Sequence, residues 1–139
     1  MSPSSHAAEY AQSQARRAWQ WVTDADKESE KTKDRYATLA RKLPSYLQVS
    51  GLGQTMAFLY SKDDGGAQLL FNQLGEYLRA SSVHSDERAN AAKSQRNNHI
   101  EWLVNRSPDE YRRLTREAVV IADWVKRFAA GRLGLGSDE

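Results

Sequence analysis

Apolar residues recur every three to four positions along nearly the whole chain, and no stretch alternates with the period of a strand, so the pattern predicts helices throughout. Between 5 and 26, Ala7, Tyr10, Ala11, Gln14, Ala18, Trp21, Val22 and Ala25 form one stripe, with Arg16 and Arg17 beside it. A second helix is expected over about 28–43, apolar along Tyr36, Leu39, Ala40 and Leu43, its first half nearly all charged. Pro44 stops that helix in this reading and opens a short one to Val49. Gly51 and Gly53 then supply a tight turn before a helix over about 53–61. Asp63-Asp64-Gly65-Gly66 reads as a turn, and 67–80 as a broad apolar helix carrying Leu69, Leu70, Phe71, Leu74, Tyr77 and Leu78.

The segment 81–95 holds almost no large apolar side chain and is expected to be a loop or a weakly ordered helix. Ile100, Trp102, Leu103 and Val104 suffice for a short helix over 98–105. Ser107-Pro108-Asp109-Glu110 is a helix start: serine caps, proline takes the first turn, and the acids meet the positive end of the dipole. The last helix should reach about Ala130, leaving 131–139, like 1–5, as frayed tails. Short connections between successive helices predict an all-α, single-domain compact bundle of about five to seven helices spanning 1–139.

The 139 residues suffice for one core. There is no cysteine, which excludes disulfides, thiolate catalysis and cysteine-ligated zinc. No apolar run approaches the roughly 20 residues that span a bilayer, and the first residues lack the basic start and apolar stretch of a signal peptide. A cytoplasmic protein without membrane contact is the expectation. The formal net charge is only +2, so any nucleic-acid contact must come from a local patch. Thirteen of the twenty basic residues are arginine, which forks onto phosphate oxygens.

Nothing in the chain composes a catalytic constellation. Gly51-Leu52-Gly53 before a helix invites a nucleotide-loop reading, but Met56 stands where the third glycine would be, and no lysine-serine or lysine-threonine pair follows. A steric turn for close helix packing is the stronger reading; in a middle reading, the free amides of the helix start meet one phosphate or a neighbouring subunit, with Gln54 as the exposed polar group there. His6, His84 and His99 are scattered and form no metal-ligand spacing. No nucleophile–base pair is recognisable, so no enzyme, cofactor or metal is expected.

The last helix holds the best phosphate-facing candidates. Arg112, Thr115, Val119, Ala122 and Lys126 share one stripe; Arg113, Arg116, Val120, Asp123 and Arg127 share the next. Positive groups at both ends, about 20 Å apart at 1.5 Å per residue, would suit a rail along a backbone. Salt bridges to Glu110, Glu117 and Asp123 are the plainer reading. Trp21 and Trp124 fall on apolar stripes and should be core. Trp19, off its stripe beside Arg16, could anchor a protein interface or stack on a base; the interface is favoured.

Two strings carry a resemblance. Residues 42–62 read K-L-P-x-x-L-x-x-x-G-L-G-Q-x-x-A-F-L-x-S-K, and residues 111–129 read Y-R-x-x-T-x-E-A, a spacer, then W-x-K-R-F-A. Both resemble the small α-helical subunit of the type III-B CRISPR effector, the Cmr complex, over roughly 36–62 and 108–130. The resemblance implies a non-catalytic subunit whose copies stack head to tail, with other Cmr subunits, guide RNA and target RNA as partners. It carries Lys42, Gln54, Lys62, Arg112, Arg113, Lys126 and Arg127 onto motif positions as RNA or subunit contacts. Arg16, Arg17 and Arg41 join them from pattern alone, and Pro44, Gly51 and Gly53 are the expected structural turn. A helical adaptor that binds only protein is the alternative.

Overall fold

The structure, a computed structural model, describes residues 3–82 and 96–137. Five helices and no strand occur among them: α1 (Pro3–Asp26), α2 (Glu30–Ser61), α3 (Gly65–Ser81), α4 (Arg96–Val104) and α5 (Pro108–Leu133). The segment expected to be loop or weakly ordered lies, from residue 83 to 95, outside the described residues.

Helix α2 is two arms folded back on one another. Ser29 caps its start, accepting from Thr32 N. Helical backbone then passes straight through Pro44, and the only break is at Gly51, where φ is 86° and ψ is 168°. Pro44 therefore does not stop the helix as expected. It forfeits one backbone hydrogen bond, but Leu43, Pro44 and Leu47 are buried on the same turn, so packing holds the helix through it. Gly51 supplies the reversal, in a region of backbone space open essentially to glycine alone. The ring centroids of Tyr46 and Phe58 then lie 5.3 Å apart, and Arg35 reaches Asp64 at 3.3 Å, so the second arm runs antiparallel to the first.

Gly53 has no positive φ; the expectation that it shares the turn fails. Its smallness is needed for a different reason. A Cβ there would lie 2.9 Å from the Tyr111 hydroxyl, and the Gly53 amide donates to that oxygen at 2.6 Å. This contact locks the start of the second arm against the start of α5.

Helices α1 and α5 run parallel: Tyr10 pairs with Glu117, Trp19 with Phe128, and Asp26 with Arg132. Against them lie α2 and α3, and the core gathers where the four meet, around Val22, Tyr36, Leu39, Leu43, Leu70, Leu74, Leu114, Ile121 and Val125. Buried polar groups are matched across helices, as burial requires. The Tyr36 hydroxyl donates to Gln73 at 2.6 Å, and the Gln73 amide donates to Trp21 O at 3.2 Å. Burial pushes the Tyr36 phenol far above its ordinary value. The buried stripe of α1 begins only at Gln14; Ala7, Tyr10 and Ala11 are exposed, since two alanines offer little apolar area to hold a helix face down.

The short α4 closes one side. His99 packs on Gly75, where a Cβ would meet the ring at 2.6 Å, and its Nδ1 lies 3.0 Å from Nη1 of buried Arg79. Arg96 sits between the rings of Tyr60 and Phe71 and donates to Leu59 O, Tyr60 O and Lys62 O, closing the end of α2.

At the other terminus the tail expected from Gly131 onward starts later. Helix α5 continues to Leu133, and Gly134 caps it at φ 92°. Residues 135–137 then lie along the first arm of α2. Arg41 Nε donates to Leu135 O at 3.0 Å, Thr38 Oγ1 to Ser137 O at 2.9 Å, and Ser137 Oγ to Asp34 Oδ2 at 2.5 Å.

Candidate functional site: a cationic cleft and an aromatic seam

The fold sorts the sequence-predicted cations into three groups. The first is a cleft of about 370 Å³ between the arms of α2, lined by Arg35, Thr38, Leu39, Lys42, Tyr46, Phe58 and Lys62. Lys42 and Lys62, distant in sequence, face one another there because Gly51 turns the helix back. The Lys62 ammonium stands 5.1 Å from the Phe58 ring centroid, a cation–π contact that fixes it at the rim. Arg35 completes the set while donating to Asp64 at 3.3 Å; Asp64 also caps α3 by accepting from Ala67 N at 2.8 Å. Arg41, one residue before Lys42, turns to the tail carbonyl instead. Arg35 and Tyr46 were missed in the sequence reading. The signal was present: residues 35, 38, 42 and 46 recur at three-to-four spacing and share a helix face.

The second group is the expected rail on α5, and its two ends differ. Arg112 is ion-paired with Asp109. Arg113 donates to Glu110 at 3.1 Å and to Ser81 O at 2.9 Å. The Glu110 carboxylate is buried and accepts from Ser82 Oγ at 2.5 Å as well, so Arg113 binds the end of α3 to the start of α5. Lys126 and Arg127 are exposed at the far end. Between the two ends, Glu117 accepts from Tyr10 at 2.7 Å and Tyr77 at 2.9 Å. Burial first, and then the Glu117 carboxylate, push the Tyr10 phenol up to about 12. Of the α1 pair, both exposed, Arg17 lies over the Tyr77 ring at 5.6 Å.

The third group lies on the seam of α1 and α5. Trp19 is 48% exposed and meets Phe128 edge-on at 5.3 Å, and Trp124 lies 5.6 Å from the same ring. Trp124, expected in the core, is only half-buried because it leans on this surface. The Arg132 guanidinium lies 4.9 Å over Trp19 and is held there by Asp26 at 3.0 Å and Thr23 at 2.8 Å. Trp19, Arg127, Phe128, Gly131 and Arg132 line a cavity of about 390 Å³.

Gln54 is exposed and borders a separate cavity of about 550 Å³ with Gly53, Leu103, Val104, Arg106, Pro108 and Tyr111. The amide at Gly53, a conceivable phosphate donor, is taken by Tyr111. No group of three or more metal-ligating side chains occurs among the described residues, and no described helix is long and apolar enough to cross a membrane.

The described residues form a small all-α bundle with a cationic cleft in a folded-back helix. Residues 10–132 match the model of the Cas_Cmr5 family of CRISPR-associated proteins, and the chain belongs to that family. The CRISPR system Cmr subunit Cmr5 of Thermus thermophilus is 33% identical over 115 residues, which covers 83% of this chain and 88% of that protein. The crystal structure of a Cmr5 family protein from the same organism superposes with a TM-score of 0.68 at 28% identity, over 88% of this chain and 96% of the other.

Proposed function

We propose that this chain is a non-catalytic small subunit of a type III-B CRISPR RNA-guided complex, working in the cytoplasm with the other Cmr subunits. Copies stack in file, and each meets guide or target RNA through its basic surface. Family membership supports the assignment to the complex. The observation that carries the RNA contact is the cleft of α2. Its cations, Arg35, Lys42 and Lys62, converge beside Tyr46 and Phe58, a combination suited to a phosphate backbone with an unstacked base nearby. Charge on such a surface reads backbone and leaves sequence to base pairing. Lys126 and Arg127 extend the basic surface; Arg112 and Arg113 serve mainly within the chain.

The test is a reconstituted complex carrying Lys42→Ala and Lys62→Ala. Assembly should be normal, and target-RNA affinity should fall with a salt dependence flatter by roughly 0.7 log units per lost contact. The loss should be alike for unrelated target sequences. Unchanged affinity and slope would leave the cleft to protein or solvent. A second reading, an adaptor that touches only protein, draws on the internal partners of Arg112 and Arg113, and that outcome would favour it.

A further inference from the structure

The residues that follow α5 lie on the flank of the cationic cleft. Gly134 turns the chain at φ 92° and Gly136 at φ 77°. A Cβ at Gly136 would collide with Thr38 Oγ1 and stand 2.5 Å from Thr38 N and 2.8 Å from Asp34 O, so the backbone there seats directly on the first arm of α2. Arg41, Thr38 and Asp34 hold it through Leu135 O, Ser137 O and Ser137 Oγ. These three residues form one stripe of the arm, at i, i+4 and i+7. Thr38 also lines the cleft beside Arg35 and Lys42. It is buried, so a phosphate backbone reaches this flank only after residues 135–137 have left it.

The contact is suited to opening. Leu135 is 61% exposed, so polar bonds hold the segment with little apolar burial. The Thr38 hydroxyl carries one proton and has two carbonyls in reach. Ser137 O lies at 2.9 Å, and Asp34 O, four residues back in the same helix, at 3.1 Å; on release the proton passes to the second. Arg41 donates to a neutral carbonyl, and a phosphate oxygen would give it a stronger, charge-assisted bond. Asp34, the carboxylate of the stripe, is about 10 Å from Arg41 along the helix at 1.5 Å per residue, clear of a phosphate held there.

We propose that residues 134–137 form a latch that competes with RNA for the flank of the cleft. Closed, the latch occupies Arg41 and covers Thr38. When an RNA backbone arrives, a phosphate takes Arg41 and the latch lifts. This rests on the RNA reading of the cleft and adds regulation to it. The apparent affinity is then the intrinsic affinity reduced by the fraction of molecules whose latch stands open.

Gly136→Val should abolish the closed form, both by collision with the α2 backbone and by its positive φ, and it lies beyond the last helix. The absence of native cysteine gives a direct check. A nitroxide on Leu135→Cys should broaden the amide resonances of Thr38 and Arg41 in the isolated chain, and adding Gly136→Val should remove the broadening. In the reconstituted complex, Gly136→Val should raise target-RNA affinity about threefold or more, and so should deletion from Leu135 onward. Gly136→Val keeps Asp138 and Glu139, so a gain shared by the two variants is not an effect of lost negative charge. In an Arg41→Ala background neither should raise affinity, because the group that the latch releases is gone. No broadening in the parent chain, affinity raised by neither variant, or a gain that persists without Arg41 overturns the latch. The Lys42→Ala, Lys62→Ala complex separates the two levels. If it binds RNA more weakly while the latch variants bind no better, the latch falls and the cleft stands. If it binds RNA as the parent does, the RNA reading of the cleft falls and takes the latch with it.

Discussion

The cleft of α2 and the seam of α1 with α5 are both cationic surfaces lined with aromatic rings, yet they are built in opposite ways. The cleft comes from one helix turned on itself, and a single backbone reversal at Gly51 decides whether Arg35, Lys42 and Lys62 meet. Its rings are half-buried against each other. The seam comes from two helices distant in sequence, and side-chain contacts across them, Arg132 to Asp26 and Trp19 to Phe128, decide its shape. Its principal ring stands in solvent. A surface built locally is fragile at one residue; a surface built across the bundle spreads its dependence over many.

The sharpest way to break that contrast is Gly51→Val. A β-branched residue at φ 86° should cost about 3 kcal/mol, measured by chemical denaturation. The cleft should be lost with it, while the seam, read by Trp19 fluorescence, should keep its environment until global unfolding. Equal damage to both would show that the two surfaces share one cooperative scaffold. Gly53→Val should be milder in its backbone demand, because the strain there is only the approach of Tyr111, whose ring can shift.

The two arginines at the start of α5 give the next largest effect. Arg113→Ala strips the buried Glu110 carboxylate of its guanidinium and frees Ser81 O, and should lower stability by about 2 kcal/mol. Arg112→Ala removes only an exposed pair with Asp109 and should change stability by less than about 0.5 kcal/mol. Thermal denaturation of the two single variants decides it; similar losses would mean that Glu110 finds another partner.

These residues also show how far the sequence could be read. The all-helical course, the reversal at Gly51, the cap at Ser107 and most of the core follow from period and punctuation, which act over a few residues. Pro44 misled because its helix-breaking cost is local while the packing that overrides it is not. A salt bridge to Glu110 was among the pairs the sequence offered for the α5 arginines, but its burial was not legible, because Ser81 and Ser82, which complete it, come from another helix. The tail was read as frayed from its glycines and small residues, and its docking on Thr38 and Arg41 requires knowing where α5 ends relative to α2. Family motifs found Lys42 and Lys62 without indicating that they face each other. The seam was half legible, through Trp19 standing off its stripe.

A smaller effect sharpens the seam. Trp19→Ala removes the edge contact to Phe128 and the surface under Arg132, worth about 1 kcal/mol in stability. Because Trp19 is half exposed, a loss far above that would mean that the seam is a structural part of the core and not a surface kept for a partner.

The smallest effect is a pH dependence that links the two helices of the seam. The Tyr10 phenol, pushed up to about 12 by burial and by the Glu117 carboxylate, has an ordinary value of 10. Tyr77 is raised in the same direction, by burial first and then by Glu117. A group whose native pKa lies above its unfolded value holds its proton more tightly when folded. Its contribution is therefore complete below pH 10 and is lost as pH rises from 10 through about 12. Stability measured by urea denaturation should fall over that window, and Tyr10→Phe should flatten the fall by removing one titrating group. Because Tyr10 is well exposed, the flattening should be modest, with the larger part remaining at the more buried Tyr36 and Tyr77. An identical alkaline profile in Tyr10→Phe would mean that the hydroxyl–carboxylate contact does not hold α1 to α5 in solution, and α1 would then be held there by its buried residues Ala18, Val22 and Ala25 and by the contacts of Trp19 and Asp26 with Phe128 and Arg132.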